Sequence, residues 1–537
     1  MGDVTNGSTS DRKSAVPEGT KDLPLYERIA LEKRANRERS IPEEWRLPKG
    51  HVPEDQLNVT DVPMHCGILT EKECEITELA AAELVERIQS RELSSYEVTL
   101  AFCKRAAIAQ QLVNCLSEIF FEKALQTAAA LDAEYAVSGI AAGPLHGLPV
   151  SLKDCFQVEG TDASIGFTAF SNEPALEHEE SEITKIMRQN GAVLFCKTNV
   201  PLGLMAGETY NAIYGYTSNP YNRSLSSGGS SGGESALLAL KGAPLGVGTD
   251  VGGSIRIPAS FCGLYSLKPS FGRFPTFGLR DGLNGQEAVR NTVGPMARSV
   301  RDIQLWSKTV IKSEPWMTSD PDCLPIPWRE LRIPDKLCFG IWLDDGIVKP
   351  LPPVTRAVLK TKAALEAAGH SVIEFQVDDP LYLDTLKFDL YRSATAEALD
   401  KNLAKTPEPW PRGCEMLQAM VQGNTKASTV YYLWNAQAKR TEYSFTYDNY
   451  TSLWNVLDYC ATTVPVSYVS LHEDATPSYE SRNDSERCVW KNYSPGTFAE
   501  APVAVQLVGR RLNEEYLLGV TQKCDEALKM SMSYRGY

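Results

Sequence analysis

The sequence predicts an α/β fold in which a β-sheet core is sandwiched between layers of α-helices. Three observations carry this reading. A helical pattern of Ile183, Ile186 and Met187 stops at Asn190-Gly191 and is followed at once by the apolar run Ala192-Val193-Leu194-Phe195-Cys196. Helix followed by fully buried strand is the pattern of a sheet covered on both faces. Near the C-terminus Ala501-Pro502-Val503-Ala504-Val505-Gln506-Leu507-Val508 repeats the buried-strand signal, and Asn513 to Leu528 resumes a helical period. Finally, the 537 residues, 43% hydrophobic and 23% charged, contain no long Gly/Ser or Pro linker and no repeat, so one large unit with appendages is preferred to several domains.

Residues 1–66 read as an N-terminal helical arm, polar except for a charged helical stretch from Tyr26 to Arg39 bounded by Pro24 and Pro42. The main body, 67–537, opens with Leu84, Val85 and Ile88 at helical spacing. Ser94-Ser95-Tyr96-Glu97 is a capping box that starts a second helix with Val98, Ala101 and Phe102 on one face. Both helices are expected to cover a core. Gly147-Leu148-Pro149-Val150-Ser151-Leu152-Lys153-Asp154 is a short apolar strand ending in two charges.

Bulk properties exclude several functions. A formal charge of −14 leaves no basic footprint for nucleic acid or an anionic membrane. No apolar run is long enough to span a bilayer, and the polar N-terminus has no apolar segment behind it. Thirteen cysteines scattered singly form neither a disulfide framework nor a C-x-x-C pair, so they read as reduced thiols of a cytoplasmic protein. The six histidines show no H-x-x-x-H spacing, which disfavours a zinc hydrolase; no metal or cofactor is expected.

Glycine density rises sharply between Ser226 and Gly263. Ser226-Ser227-Gly228-Gly229-Ser230-Ser231-Gly232-Gly233 leads into an Ala/Leu helix to Leu240, then comes Gly246-Val247-Gly248-Thr249-Asp250-Val251-Gly252-Gly253-Ser254-Ile255-Arg256-Ile257-Pro258. Two serines thus sit in two glycine-rich turns, where a ligand can approach main-chain N–H groups. A single Gly-Gly-Ser is better read as a flexible turn; two such turns flanking one apolar helix are not. A phosphate loop needs Lys after its last glycine, but Glu234 follows Gly233. Gly228-Gly229-Ser230-Ser231-Gly232 fits the G-x-S-x-G elbow of α/β-hydrolases, a pattern that needs a preceding strand, whereas Asn219 to Ser224 reads as loop.

The block from Gly228 to Lys268 resembles the signature of the amidase signature family nearly throughout, and Gly147 to Asp154 is similar to the segment that holds the family's catalytic lysine. Leu93 to Gln111 and Ala501 to Arg511 resemble fungal general amidases of the acetamidase type, so the similarity spans most of 25–525. The resemblance implies a mixed sheet between helical layers and an amide hydrolase without metal or cofactor. It implies Ser254 as nucleophile, Ser230 as proton bridge after a cis Gly229–Ser230 bond, and Lys153 as base. Backbone N–H groups of Val251, Gly252, Gly253 and Ser254 would form the oxyanion hole. Ser231, Asp250 and Arg256 would hold the catalytic loops, and Met205 falls where the family builds part of its substrate pocket.

Lys153 alone would more often be a solvated lysine, and Ser231, Asp250 and Arg256 could simply cap turns. The partner expected is a small-molecule amide; a homodimer is neither required nor excluded. After Trp434 to Arg440 the chain passes almost at once to Thr446-Tyr447-Asp448-Asn449-Tyr450, an apparent deletion near 440–447 relative to related amidases, costing one helix and one strand. That departure raises a truncated, impaired amidase as an alternative. Another is the glutamine-hydrolysing subunit of a tRNA-dependent amidotransferase, which shares the signature but works with partner chains.

Overall fold

A computed structural model describes residues 22–282, 289–317, 320–378, 395–411 and 449–533, with Leu381 and Gln418 between them. The apparent deletion near 440–447 lies outside the described residues.

Alternation at 193–195 shows how the layers arise. In β3 (Val193–Thr198), Val193 and Phe195 pack into one apolar cluster and Leu194 into another, because successive strand residues point to opposite faces. Both faces are covered, so the stretch Val193 to Cys196 is apolar without interruption. The first cluster lies under helices Ser95–Val113, Phe121–Ser138 and Gly232–Ala239, the second under Ala81–Gln89, Glu182–Gln189 and Val300–Lys312.

Seven further strands complete the main sheet: β1 (Leu116–Ile119), β2 (Pro149–Lys153), β4 (Leu245–Asp250), β5 (Tyr265–Lys268), β6 (Thr292–Ala297), β7 (Ala461–Tyr468) and β8 (Pro502–Val508). Among the described residues the order is β1-β3-β2-β4-β6-β5-β7-β8. β2 runs parallel to β3 and β4, and the remaining neighbours are antiparallel, so the sheet is mixed as expected. The parallel centre places the C-terminal ends of β2 and β4 side by side, and Lys153 and Asp250 close those two strands.

Three local readings are refined. The helix begun by the Ser94–Glu97 capping box is buried nearly all round rather than on one face, because other helices pack on its remaining sides. β8 is the sheet's edge among the described residues and only Val503 on it is buried, so its apolar run reflects one neighbour strand and the helices packed on it, Arg256–Phe261 and Pro352–Ala367 foremost, not a central position. Asn219 to Ser224, read as loop, contributes to a short hairpin of Ser218–Asn219 with Asn222–Ser226 that stands apart from the main sheet.

Near the N-terminus the helix Leu25–Arg39 docks on the body. Lys33 Nζ donates to Glu118 and, at 2.7 Å, to Asp162, while Arg37 donates to the Leu116 carbonyl at 2.8 Å. Among the described residues every cysteine is free, and no helix is long and apolar enough to cross a membrane.

Candidate active site

Lys153 is fully buried, and its Nζ lies 2.8 Å from Ser230 Oγ, 2.8 Å from Thr249 Oγ1 and 3.3 Å from the Thr249 carbonyl. Among the described residues no carboxylate is in hydrogen-bonding contact. Burial therefore pushes the amine down to about 8, against the opposing pull of Cys155 and of the carboxylates of Asp250, Asp281 and Glu234. Lys268 provides a control. It too is pushed to about 8, by burial and then by Arg256, yet its Nζ donates to the carbonyls of Tyr459 and Trp454 and, among the described residues, touches no hydroxyl. Geometry, not basicity, distinguishes the two amines.

The Gly229–Ser230 peptide is cis. Ser230 and Ser254 line one cavity of about 30 Å³ together with Thr249, Val251, Met205 and Leu204, enough for about two waters. No direct hydrogen bond joins the two serine side chains; their loops are tied instead by the Ser231 N–H, which donates to the Ser254 carbonyl at 3.1 Å. Asp281 and Asn291, which carried no signal in the sequence, also line this cavity.

The turn Val251–Ser254 is held from behind. Asp250 accepts from the Gly253 N–H at 2.8 Å, the Ile255 N–H at 3.1 Å and both Nε and Nη2 of Arg256 at 3.0 Å. Burial alone would raise this carboxyl, but the adjacent Arg256 guanidinium and the Asn455 amide hold it well below the carboxylate range. Arg256 reaches onward to the Thr451 carbonyl at 2.8 Å, Gln506 at 2.7 Å and Asn455 at 2.5 Å. Of the four amides expected to form an oxyanion hole, that of Gly253 is thus engaged by Asp250. Those of Gly252 and Ser254 have no intramolecular partner among the described residues.

Two glycines of β4 are explained by what fills their missing side chains. A Cβ on Gly248 would lie 2.8 Å from Ser231 Oγ, and one on Gly246 would lie 1.8 Å from Glu234 Oε1. Both are strand glycines that admit a neighbouring side chain, not turn glycines. Sequence reading missed Thr249, which touches Lys153, and Glu234; Asn455 and Gln506 carried no signal, because their partner Arg256 is remote in sequence.

The site thus combines a buried amine in contact with one serine, a second serine in the same cavity and an anchored glycine turn. The family described as Amidase matches residues 97–448 and 433–518. The chain is 37% identical to an acetamidase of Aspergillus oryzae, over 93% of this chain and 98% of that one. It is likewise 37% identical to an acetamidase of Emericella nidulans, over 94% and 98%. The solved structure of a fatty acid amide hydrolase superposes with a TM-score of 0.85 at 30% identity, covering 93% of this chain and 94% of the other. This fold and this kinship are those of hydrolases acting on the carbon–nitrogen bonds of amides. The chain belongs to the amidase signature family.

Proposed function

We propose that the chain hydrolyses small carboxylic acid amides to acid plus ammonia or amine through an acyl-enzyme on Ser254. The observation that carries this is the 2.8 Å contact between Lys153 Nζ and Ser230 Oγ beside a cavity that Ser254 also lines. As a neutral amine Lys153 can accept the Ser230 proton while Ser230 accepts that of Ser254, which frees Ser254 Oγ to attack the carbonyl carbon. The oxyanion then settles in the Val251–Ser254 turn, where each positioned donor contributes about 10²- to 10³-fold in rate. The ammonium of Lys153 returns its proton by way of Ser230 to the leaving nitrogen, and water repeats the sequence to release the acid. Ser231, Asp250 and Arg256 keep the turn in place, and Met205 forms part of the substrate pocket.

Small substrates suit the two acetamidase relatives. Free buried thiols suit a reducing compartment such as the cytosol. A serine-directed fluorophosphonate is expected to label Ser254, with label lost in Ser254→Ala and strongly reduced in Lys153→Ala. Label on Ser230 instead would overturn the assignment. Ammonia release from simple amides by the isolated chain, without partner subunits, separates this reading from a tRNA-dependent amidotransferase subunit.

A second reading, a catalytically impaired amidase, draws on one observation: the family match divides into two parts that overlap at 433–448, where the sequence departs from related amidases. Cooperative unfolding together with amide turnover would exclude it.

A further inference from the structure

Glu234 is fully buried in the first turn of the helix Gly232–Ala239, which starts two residues after Ser230. Its two carboxyl oxygens are engaged by two different strands. Oε1 accepts from the hydroxyl of Ser151, and Oε2 accepts from Thr198 Oγ1 at 2.7 Å. Ser151 lies two residues before Lys153 on β2, so the two side chains share one face of that strand. Thr198 ends β3 and is paired with Lys153 in the ladder. The carboxyl occupies the space a side chain at Gly246 would need, so β4 confines it as well. None of these groups reaches the cavity of Ser230 and Ser254, and no step of the hydrolysis uses them.

We propose that Glu234 is the positioning residue of the proton relay, a clamp that locks the helix behind Ser230 to the strand behind Lys153 and so fixes their separation. The inference rests on the reading in which Lys153 takes the Ser254 proton through Ser230. One side chain bonded to both bearing elements removes the freedom of one to slide past the other. Displacements of about 1 Å in such a relay cost on the order of 10²-fold in rate. Burial raises the Glu234 carboxyl to about 7, and the hydroxyls of Ser151 and Thr198 with the nearby Lys153 act the other way. Above neutrality it is therefore a carboxylate, which both hydroxyls can serve as donors.

The test uses the full chain. Glu234→Gln keeps shape but offers an N–H₂ where one hydroxyl needs an acceptor. Its kcat on a small primary amide is expected to fall about tenfold or more with KM within about twofold. The acid limb of its kcat–pH profile is expected to move to lower pH, since Lys153 loses a negative neighbour. A purely structural role predicts loss in proportion to folded fraction with that limb unmoved; this outcome, or kcat within about twofold of wild type, overturns the proposal. If Glu234→Gln does not fold, Ser151→Ala and Thr198→Val each remove one anchor. Each should then lower kcat about threefold at unchanged KM, and no change in either overturns the clamp. Fluorophosphonate labelling of wild type separates the two levels. Absence of label at Ser254 overturns the hydrolytic reading and the clamp with it; normal labelling with unmoved kcat in the variants overturns the clamp alone.

Discussion

The amine of Lys153 faces two hydroxyls and a carbonyl instead of a carboxylate, and two measurable consequences follow. A base must be unprotonated, so kcat/KM is expected to rise with pH through about 8 and level off above it. Lys153→Ala should lower kcat by about 10²- to 10⁴-fold. Stability moves with pH in the same direction. A lysine whose folded value lies below its unfolded 10.5 binds fewer protons when folded, so stability increases as pH rises from about 8 to 10.5 and is penalised below that window. Lys153→Met should therefore be inactive yet about 1–3 kcal/mol more stable at neutral pH, as read by chemical denaturation. Asp250 behaves as an ordinary paired carboxylate. Its folded value is depressed, so its contribution is present above the unfolded 3.8 and is lost as pH falls below it. Removing its partner in Arg256→Ala leaves a buried charge and should cost about 3–5 kcal/mol.

Elements reveal where sequence reading succeeds and where it stops. The capping box at Ser94–Glu97, the helix that ends at Gln189 and the strand that begins at Val193 were legible because caps and hydrophobic period act within a few residues. The two serine loops were legible as glycine-rich turns, and the lysine strand as a strand. Gly246 and Gly248 were not understood, because what fills their space comes from a different helix. Gly246→Ala is expected to destabilise by about 1–3 kcal/mol, since Glu234 is too enclosed to move aside. The N-terminal helix makes a parallel case. It was legible as a charged helical arm, but not which charge anchors it: Lys33 is buried against Glu118 and Asp162. Although burial works against it, those two carboxylates hold the Lys33 ammonium firmly in its charged form. Lys33→Ala should lower the thermal midpoint more than any exposed lysine substitution does, because the buried Asp162 and the part-buried Glu118 are left without their cation.

At the scale of the molecule, fold class was readable from alternation of buried helix and strand, and the mixed sheet only from family resemblance. Strand order was not readable, because it depends on pairings between distant segments: β5, at 265–268, accepts β7, at 461–468, as its neighbour. The edge position of β8 escaped for the same reason. The Arg256 web has the same long reach, tying the second serine loop to Thr451, Asn455 and Gln506. A protease that severed the backbone anywhere in 412–448 would therefore yield halves still joined by a strand ladder and a buried guanidinium. Such a nicked protein is expected to elute as one species under native conditions and to separate only in denaturant. Expressed as two independent polypeptides, the halves should complement each other.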